Sequence, residues 1–354
     1  MKEAYIIAAT RKINGSGDTL EFDEIITRLR NLGEDPVGLI IDPLRVPWND
    51  PLEENHFRSG CAPIQALATA REVVQNGIAR AVIIIGDEPL KTGYTRNQRR
   101  RLMNIYGDDY TLPEAYTDVA RAFILENAIT ETEFKRLAGL LFDNYQRTFR
   151  RANPAPDLDD KWFEPITPLF RGVDCANPLI DFSGKLLICD KSLAAQAGIT
   201  DDMMVQIAGI GLGYTQDGRG NVCSIATYDH LKEAFRTACE QADTDLAAEY
   251  LTERALLEVY TCYPVVPMAF LLASGIASSI QDIPAILQKH EVTVTGGMNL
   301  ARAPWNNPTL NALITMHDLL IEGPAKIGAV HGNGGMGFSQ GVAILMAQKL
   351  LEGK

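Results

Sequence analysis

Short apolar runs without polar alternation recur along this chain, separated by stretches with helical spacing. AYIIAAT (4–10) and VGLIID (37–42) flank LEFDEIITRLRNLG, whose apolar residues fall three and four apart, so the pattern predicts strand, helix, strand. ALATAREVVQNG after Cys61 has the same helical spacing and leads into ARAVIIIGDE (79–88), a run apolar on both faces, as expected of a strand between two helical layers. The rhythm returns with KLLICD (185–190), MVQIAGIGLG (204–213), ALLEVY (255–260), VTVTGG (292–297), KIGAV (326–330) and GVAILMA (341–347), all predicted as strands. Residues 90–180 break the pattern: they are polar, aromatic and basic, with helix-like windows and a Pro-rich tail. That is too long for an idle connection, and it predicts a helical insertion that covers something. The reading so far is a layered α/β protein with a lid.

Composition narrows the class. With 354 residues, 46% hydrophobic and 22% charged, the chain reads as a globular protein of two or more domains. Its longest apolar run, VVPMAFLLASGIA (265–277), stops short of membrane-spanning length, and the start MKEAYIIAATRK lacks a secretory pattern. Lys and Arg number 33 against 45 Asp and Glu, a net charge of −12, which argues against nucleic acid or an anionic membrane as partner. The cysteines (61, 175, 189, 223, 239, 262) show no CxxC spacing, so neither a metal site nor a disulfide framework is expected. A soluble cytoplasmic protein is the expectation.

Candidate chemistry concentrates in three places. Cys61 follows a glycine and directly precedes a helix that Pro63 can open. A thiol there faces free amide N–H groups, which favour thiolate and can stabilise an oxyanion. The blander reading is a small buried hydrophobe, the commonest fate of a free cysteine. His331 sits at the mouth of the turn in GAVHGNGGMGFSQG, where a base can be presented, although a turn histidine held by the backbone is the favoured reading. GNGG and GIGLG fit neither a P-loop nor a dinucleotide fingerprint. The basic clusters RNQRRR (96–101) and QRTFRRAN (146–153) contain Arg99, Arg100, Arg147 and Arg150, candidates for the phosphates of a nucleotide-bearing ligand. A solvated or inter-subunit helix face is the competing reading.

Taken together, these segments resemble the thiolase superfamily. SGCAPIQALATAREVVQNGIARAVIIIGDEPL is similar to the stretch around the acylated cysteine, and CANPLIDFSGKLLICDKSLAAQAGI to the start of the second half. LLEVYTCYPVVPMAF, VTVTGGMNLARAP and VHGNGGMG correspond in order to the later catalytic loops, in a divergent acetyl-CoA acetyltransferase-like or sterol-carrier-type branch. The resemblance implies a five-layered αβαβα fold of two similar halves with mixed five-stranded sheets. Residues 1–89 and 181–200 would form the N-terminal half, 90–180 a loop domain over the ligand and 201–354 the C-terminal half. It implies Cys61 as the acylated nucleophile and His331 as the second catalytic group. Asn333, Gly334, Tyr260 and Asn306 would supply oxyanion support.

The implied function is acyl transfer from a coenzyme A thioester onto Cys61 and then to a second acyl thioester, a Claisen-type step. Coenzyme A or an acyl-carrier protein brings the substrate, and no cofactor is held tightly. The partner would be a second copy in a homodimer or higher oligomer, with room for a companion subunit. Two departures oppose this. The family's Gly-His-Pro is Arg302, Ala303 and Pro304, so its activating histidine is alanine, and Tyr260 replaces the usual Asn or His. Loss of a general base removes about two to four orders of magnitude of rate. The alternative is a catalytically silent thiolase-fold subunit that binds acyl-CoA or a partner. For Asn306 and Asn307, ahead of Pro308, a helix cap is favoured over catalysis.

Overall fold

The structure, a computed structural model, describes residues 2–152, 158–216, 221–299 and 302–348. In chain order the strands are β1 (Ala4–Ile13), β2 (Val37–Ile41), β3 (His56–Phe57), β4 (Ala81–Pro89), β5 (Asp181–Asp190), β6 (Val205–Tyr214), β7 (Ala255–Glu258), β8 (Ile327–Gly334) and β9 (Ser339–Ala347). The helices are α1 (Leu20–Asn31), α2 (Ala62–Gln75), α3 (Arg96–Met103), α4 (Leu112–Glu126), α5 (Glu131–Ala152) and α6 (Lys191–Gln196). The second half adds α7 (Val222–Ala226), α8 (Asp229–Ala242), α9 (Leu246–Leu251), α10 (Val265–Ala273), α11 (Ile283–Lys289) and α12 (Pro308–Glu322).

The strands lie in the order β3-β2-β4-β5-β1-β6-β9-β8-β7. The two halves repeat one plan. In the first, β1 pairs antiparallel with β5, β5 with β4, and β4 runs parallel to β2. In the second, β6 pairs antiparallel with β9, β9 with β8, and β8 runs parallel to β7. Two corrections follow. The halves have five strands and four among the described residues, not five each, and they join into one sheet through the short pairing of Tyr5 with Gln206 and Ile6 with Val205. The expected strand at 292–297 is irregular, because its amides go elsewhere: Val294 and Thr295 donate to the Glu258 carboxylate at 2.6 and 2.9 Å.

Alternating side chains explain the layers. In β1, Ala4 and Ile6 enter a central core with α2 and α12, while Tyr5 and Ile7 enter an outer core with α1 and α6. In β9, Ala343 and Leu345 face that same central core, and Val342 and Ile344 face an outer one with α8 and α10. Both halves of the sheet are thus buried on both faces, which accounts for the unbroken apolar runs. The GIGLG run has a packing role. A Cβ on Gly209, Gly211 or Gly213 would come within 2.0, 1.8 and 1.9 Å of carbonyl oxygens of α8, so only glycine lets that helix lie on β6. The insertion between β4 and β5 carries α3, α4 and α5. It packs on the second half, α4 against α7 and α10 and α5 against α11. Among the described residues no helix is long and apolar enough to cross a membrane.

Candidate active site

Cys61 stands at the N-cap of α2 with Pro63 in the first turn. The turn before it is tightly held. Ser59 is buried at φ 151°, a conformation that costs a non-glycine residue about 1–3 kcal/mol, and its hydroxyl accepts the Cys61 amide at 3.1 Å. Thr309 in α12 donates to the Gly60 carbonyl at 2.6 Å. Upstream, the buried Asp42 accepts from Arg58 at 2.8 and 3.0 Å and bonds the His56 ring at 2.7 Å. Arg58 in turn donates to the carbonyls of Pro47, Trp48 and Asp50. Asn306 belongs to this scaffold, since its amide donates to the Asp42 carbonyl at 2.8 Å.

The thiol of Cys61 is fully buried, and burial pushes its pKa up to about 12. The Ser339 hydroxyl lies beside it and favours the thiolate slightly, without the alignment of a full hydrogen bond. Glycines make its room. A Cβ on Gly341 would come within 2.9 Å of Cys61 Sγ, and one on Gly332 within 3.2 Å of its Cα. Above the turn, a Cβ on Gly60 would lie 2.0 Å from the Tyr260 hydroxyl and 2.4 Å from the Asn333 carbonyl oxygen. Tyr260 therefore covers the turn that carries Cys61. Burial raises its phenol well above the usual value, and the nearby cysteines add to this.

His331 is inside β8, opposite Val342, rather than at a turn, because the β8–β9 ladder runs on to Gly334. Alternation then separates it from Cys61. Gly332 and Gly341, a facing pair, point at Cys61, whereas His331 points to the other face, where its ring meets Phe270 with centroids 4.7 Å apart. Both ring nitrogens are occupied. Nδ1 accepts the Tyr260 amide at 3.4 Å, and Nε2 donates to Gln340 Oε1 at 2.7 Å. Burial pushes the imidazole pKa down to about 4, so it is neutral at pH 7. Cys61 and His331 form no catalytic hydrogen bond in this arrangement.

A directed chain of hydrogen bonds runs from His331 instead. Gln340 Nε2 donates to Asn333 Oδ1 at 2.7 Å and to the Gly337 carbonyl at 2.9 Å. Asn333 Nδ2 donates to the Tyr116 hydroxyl at 2.8 Å, which donates to the Gly335 carbonyl at 2.7 Å and accepts the Cys262 thiol at 3.4 Å. The Asn333 side chain is thereby committed, and Gly334 faces Ser59 and Ser339.

The chain ends at a cavity of about 590 Å³ of atom-free space, open to solvent, between the insertion and the second half. Buried Tyr116, Cys262 and Asn333 form its inner end, and the half-exposed Trp48 and Trp305 line it farther out. Gly60 and Tyr260 reach its wall; Cys61 does not. Burial pushes the Cys262 thiol up to about 12 as well.

The arginine candidates lie elsewhere. Arg99 donates to the carbonyls of Leu90 and Tyr94, and Arg147 to that of Leu287, so both tie backbone segments together. Neither they nor Arg100 and Arg150 line the cavity. Asn307 occupies the N-cap of α12 as expected but makes no cap bond; its amide is buried without partners against Gly86. Sequence reasoning passed over Ser339, Gln340 and Tyr116. The first two carried a signal, since polar Ser-Gln opens an otherwise apolar strand. Tyr116, in a polar insertion, carried none.

No protein-family model matches the sequence, and no characterised protein sequence matches it significantly. Solved structures do. A monomeric SCP2-thiolase-like protein type 1 (STLP1) from Mycobacterium smegmatis aligns with a TM-score of 0.67 at 15% identity over 99% of this chain and 79% of the other. The Ltp2-ChsH2(DUF35) aldolase aligns with a TM-score of 0.67 at 14% identity over 99% of each chain. At these identities the likeness shows the thiolase fold of this chain.

Proposed function

We propose that this chain handles acyl thioesters: the acyl group enters the apolar cavity, and Cys61, behind Tyr260, is the acyl acceptor. The observation that supports this is the meeting of the Gly60–Cys61 turn, Tyr260 and the apolar cavity at one point of the fold. In the reaction the Cys61 sulfur attacks the thioester carbonyl. The new C–S bond replaces the old one, and the carrier leaves as a thiol with the proton from Cys61. The α-carbon of a second acyl thioester then displaces Cys61: a C–C bond forms as the C–S bond breaks, and the proton lost from the α-carbon ends on the departing Cys61 sulfur. Because Cys61 is fully buried, Tyr260 has to move for the acyl group to reach it.

A second reading has its own support: no base contacts Cys61 among the described residues, and the thiol is held protonated. In that reading the chain is a thioester-binding subunit without turnover. One structural neighbour, the Ltp2-ChsH2(DUF35) aldolase, supports a companion subunit, whereas the other is monomeric. Intact-protein mass after incubation with acetyl-CoA and longer acyl-CoAs decides between them. The expected result is an adduct of acyl mass that persists in Cys262→Ala and vanishes in Cys61→Ala. Saturable binding with no adduct establishes the silent reading; an adduct that vanishes only in Cys262→Ala moves the chemistry to the cavity-facing thiol.

A further inference from the structure

A second, much smaller space, partly open to solvent, adjoins the main cavity, and Tyr260, Met298, Ala303, Pro304 and Pro308 line both. Ala303, buried, is the smallest residue of that partition. Arg302 lines this second space. Arg302 Nε donates to the Asn299 carbonyl at 2.7 Å, and the guanidinium carbon lies 4.2 Å from the centre of the Phe149 ring. Its Nη1 and Nη2 are buried and have no hydrogen-bond partner. Leaving two buried donors of a cation unpaired is costly.

The pairing does not come from the surrounding residues. Glu258 lines the same cavity, but its Oε2 accepts from Val294 and Thr295 amides and its Oε1 from the Thr295 hydroxyl at 2.6 Å. No ion pair joins Arg302 to a carboxylate among the described residues; Leu300 and Ala301, just before it, lie outside them. Burial pushes the Arg302 pKa down to about 10, so it remains charged at pH 7. Asn311 faces the same space with its side-chain oxygen unpaired, and rotating that amide would present N–H groups instead. A planar guanidinium with two unpaired nitrogens, in a small space that Asn311 also lines, matches a carboxylate. That space has no room for a nucleotide.

We infer that the second cavity is a carboxylate subsite in which Arg302 binds the distal carboxylate of a dicarboxylic acyl thioester whose chain crosses the partition at Ala303. This deepens the acyl-thioester reading and rests on it. The test compares pairs matched in chain length, butyryl- with succinyl-CoA and hexanoyl- with adipoyl-CoA. Binding is followed by the fluorescence of Trp48 and Trp305, which line the main cavity. Wild type is expected to prefer the carboxylate member of at least one pair by about 10- to 100-fold, the range of a hydrogen-bonded charge. Arg302→Met should erase that preference, and Arg302→Lys should keep part of it. Arg302→Met gives up no ion pair, so it is expected to fold with wild-type circular dichroism.

Equal binding of every pair by wild type, or a preference that survives in Arg302→Met, overturns the inference while leaving thioester binding intact. Free adipate separates the remaining case. If no acyl-CoA binds but adipate does, in an Arg302-dependent way, the carboxylate subsite stands and the thioester reading falls. If nothing binds, both fall.

Discussion

Cys61 sets two effects against each other, and alkylation kinetics can tell which governs. The dipole at the start of α2 favours the thiolate by about 0.3–1 kcal/mol, and ~2 kcal/mol at best when buried. The first-turn amides are already taken, those of Cys61 and Ala62 by Ser59 and that of Ile64 by the Cys61 carbonyl. Burial opposes the dipole, and the thiol is pushed from 9.0 to about 12, a net cost of about 4 kcal/mol to ionise. Desolvation therefore wins. At pH 7 about one Cys61 in 10⁵ is thiolate, against about one in 10² for a thiol ionising at 9.0. Iodoacetamide reacts with the thiolate, so ionisation alone slows Cys61 about 10³-fold, and its lack of access slows it further. Exposed Cys223 supplies an internal reference thiol. Peptide-resolved mass spectrometry of alkylation from pH 7 to 10 separates the causes. The Cys61 rate is expected to climb about tenfold per pH unit throughout, without levelling. A plateau below pH 9, at a rate close to that of Cys223, would refute the reasoning and restore the helix terminus as the dominant effect.

Two further outcomes follow from the chain of hydrogen bonds. Tyr116→Phe keeps the ring stacked on Tyr263, with centroids 4.0 Å apart, but strips partners from Asn333 Nδ2 and the Gly335 carbonyl. It should cost about 2–3 kcal/mol in urea unfolding, and a change under about 0.5 kcal/mol would contradict the network. His331 is held neutral down to about pH 4 against an ordinary 6.5. The unfolded chain therefore binds a proton between those values that the folded chain refuses, and the associated stability is present above pH 6.5 and lost as pH falls toward 4. Between pH 7 and pH 5 wild type should lose about 2 kcal/mol more than His331→Leu; parallel losses would show that the imidazole does not couple to folding.

What could be read from the sequence was whatever depends on neighbours along the chain. Period placed most of the strands, since a stretch buried on both faces has to be apolar, as residues 81–85 of β4 and 342–347 of β9 are. Gly60-Cys61 before Pro63 marked a helix start, and a helix does start there. The insertion announced itself by its polarity and length. The run at 292–297 shows the limit of this reasoning. Its composition suits a strand, but the Glu258 carboxylate takes two of its amides, and that residue is remote in sequence.

The site lies on the other side of that divide. Cys61 and His331 both stood out as chemical residues, yet whether they meet depends on the facing of β8, and alternation turns them to opposite sides of the sheet. The polar chain that starts at His331 passes through Gln340 of β9 and Asn333 of β8 to Tyr116 of the insertion. Arg302 read as a mere departure from a family motif, and only the surrounding packing leaves two of its three guanidinium nitrogens buried and unpaired. The chain alone thus determined the layered α/β fold and the candidate thiol, because periodicity and helix starts are local. Tertiary structure decided the accessibility and ionisation of that thiol and the shape of the cavities, because desolvation and pairing are set by residues brought together from distant parts of the chain.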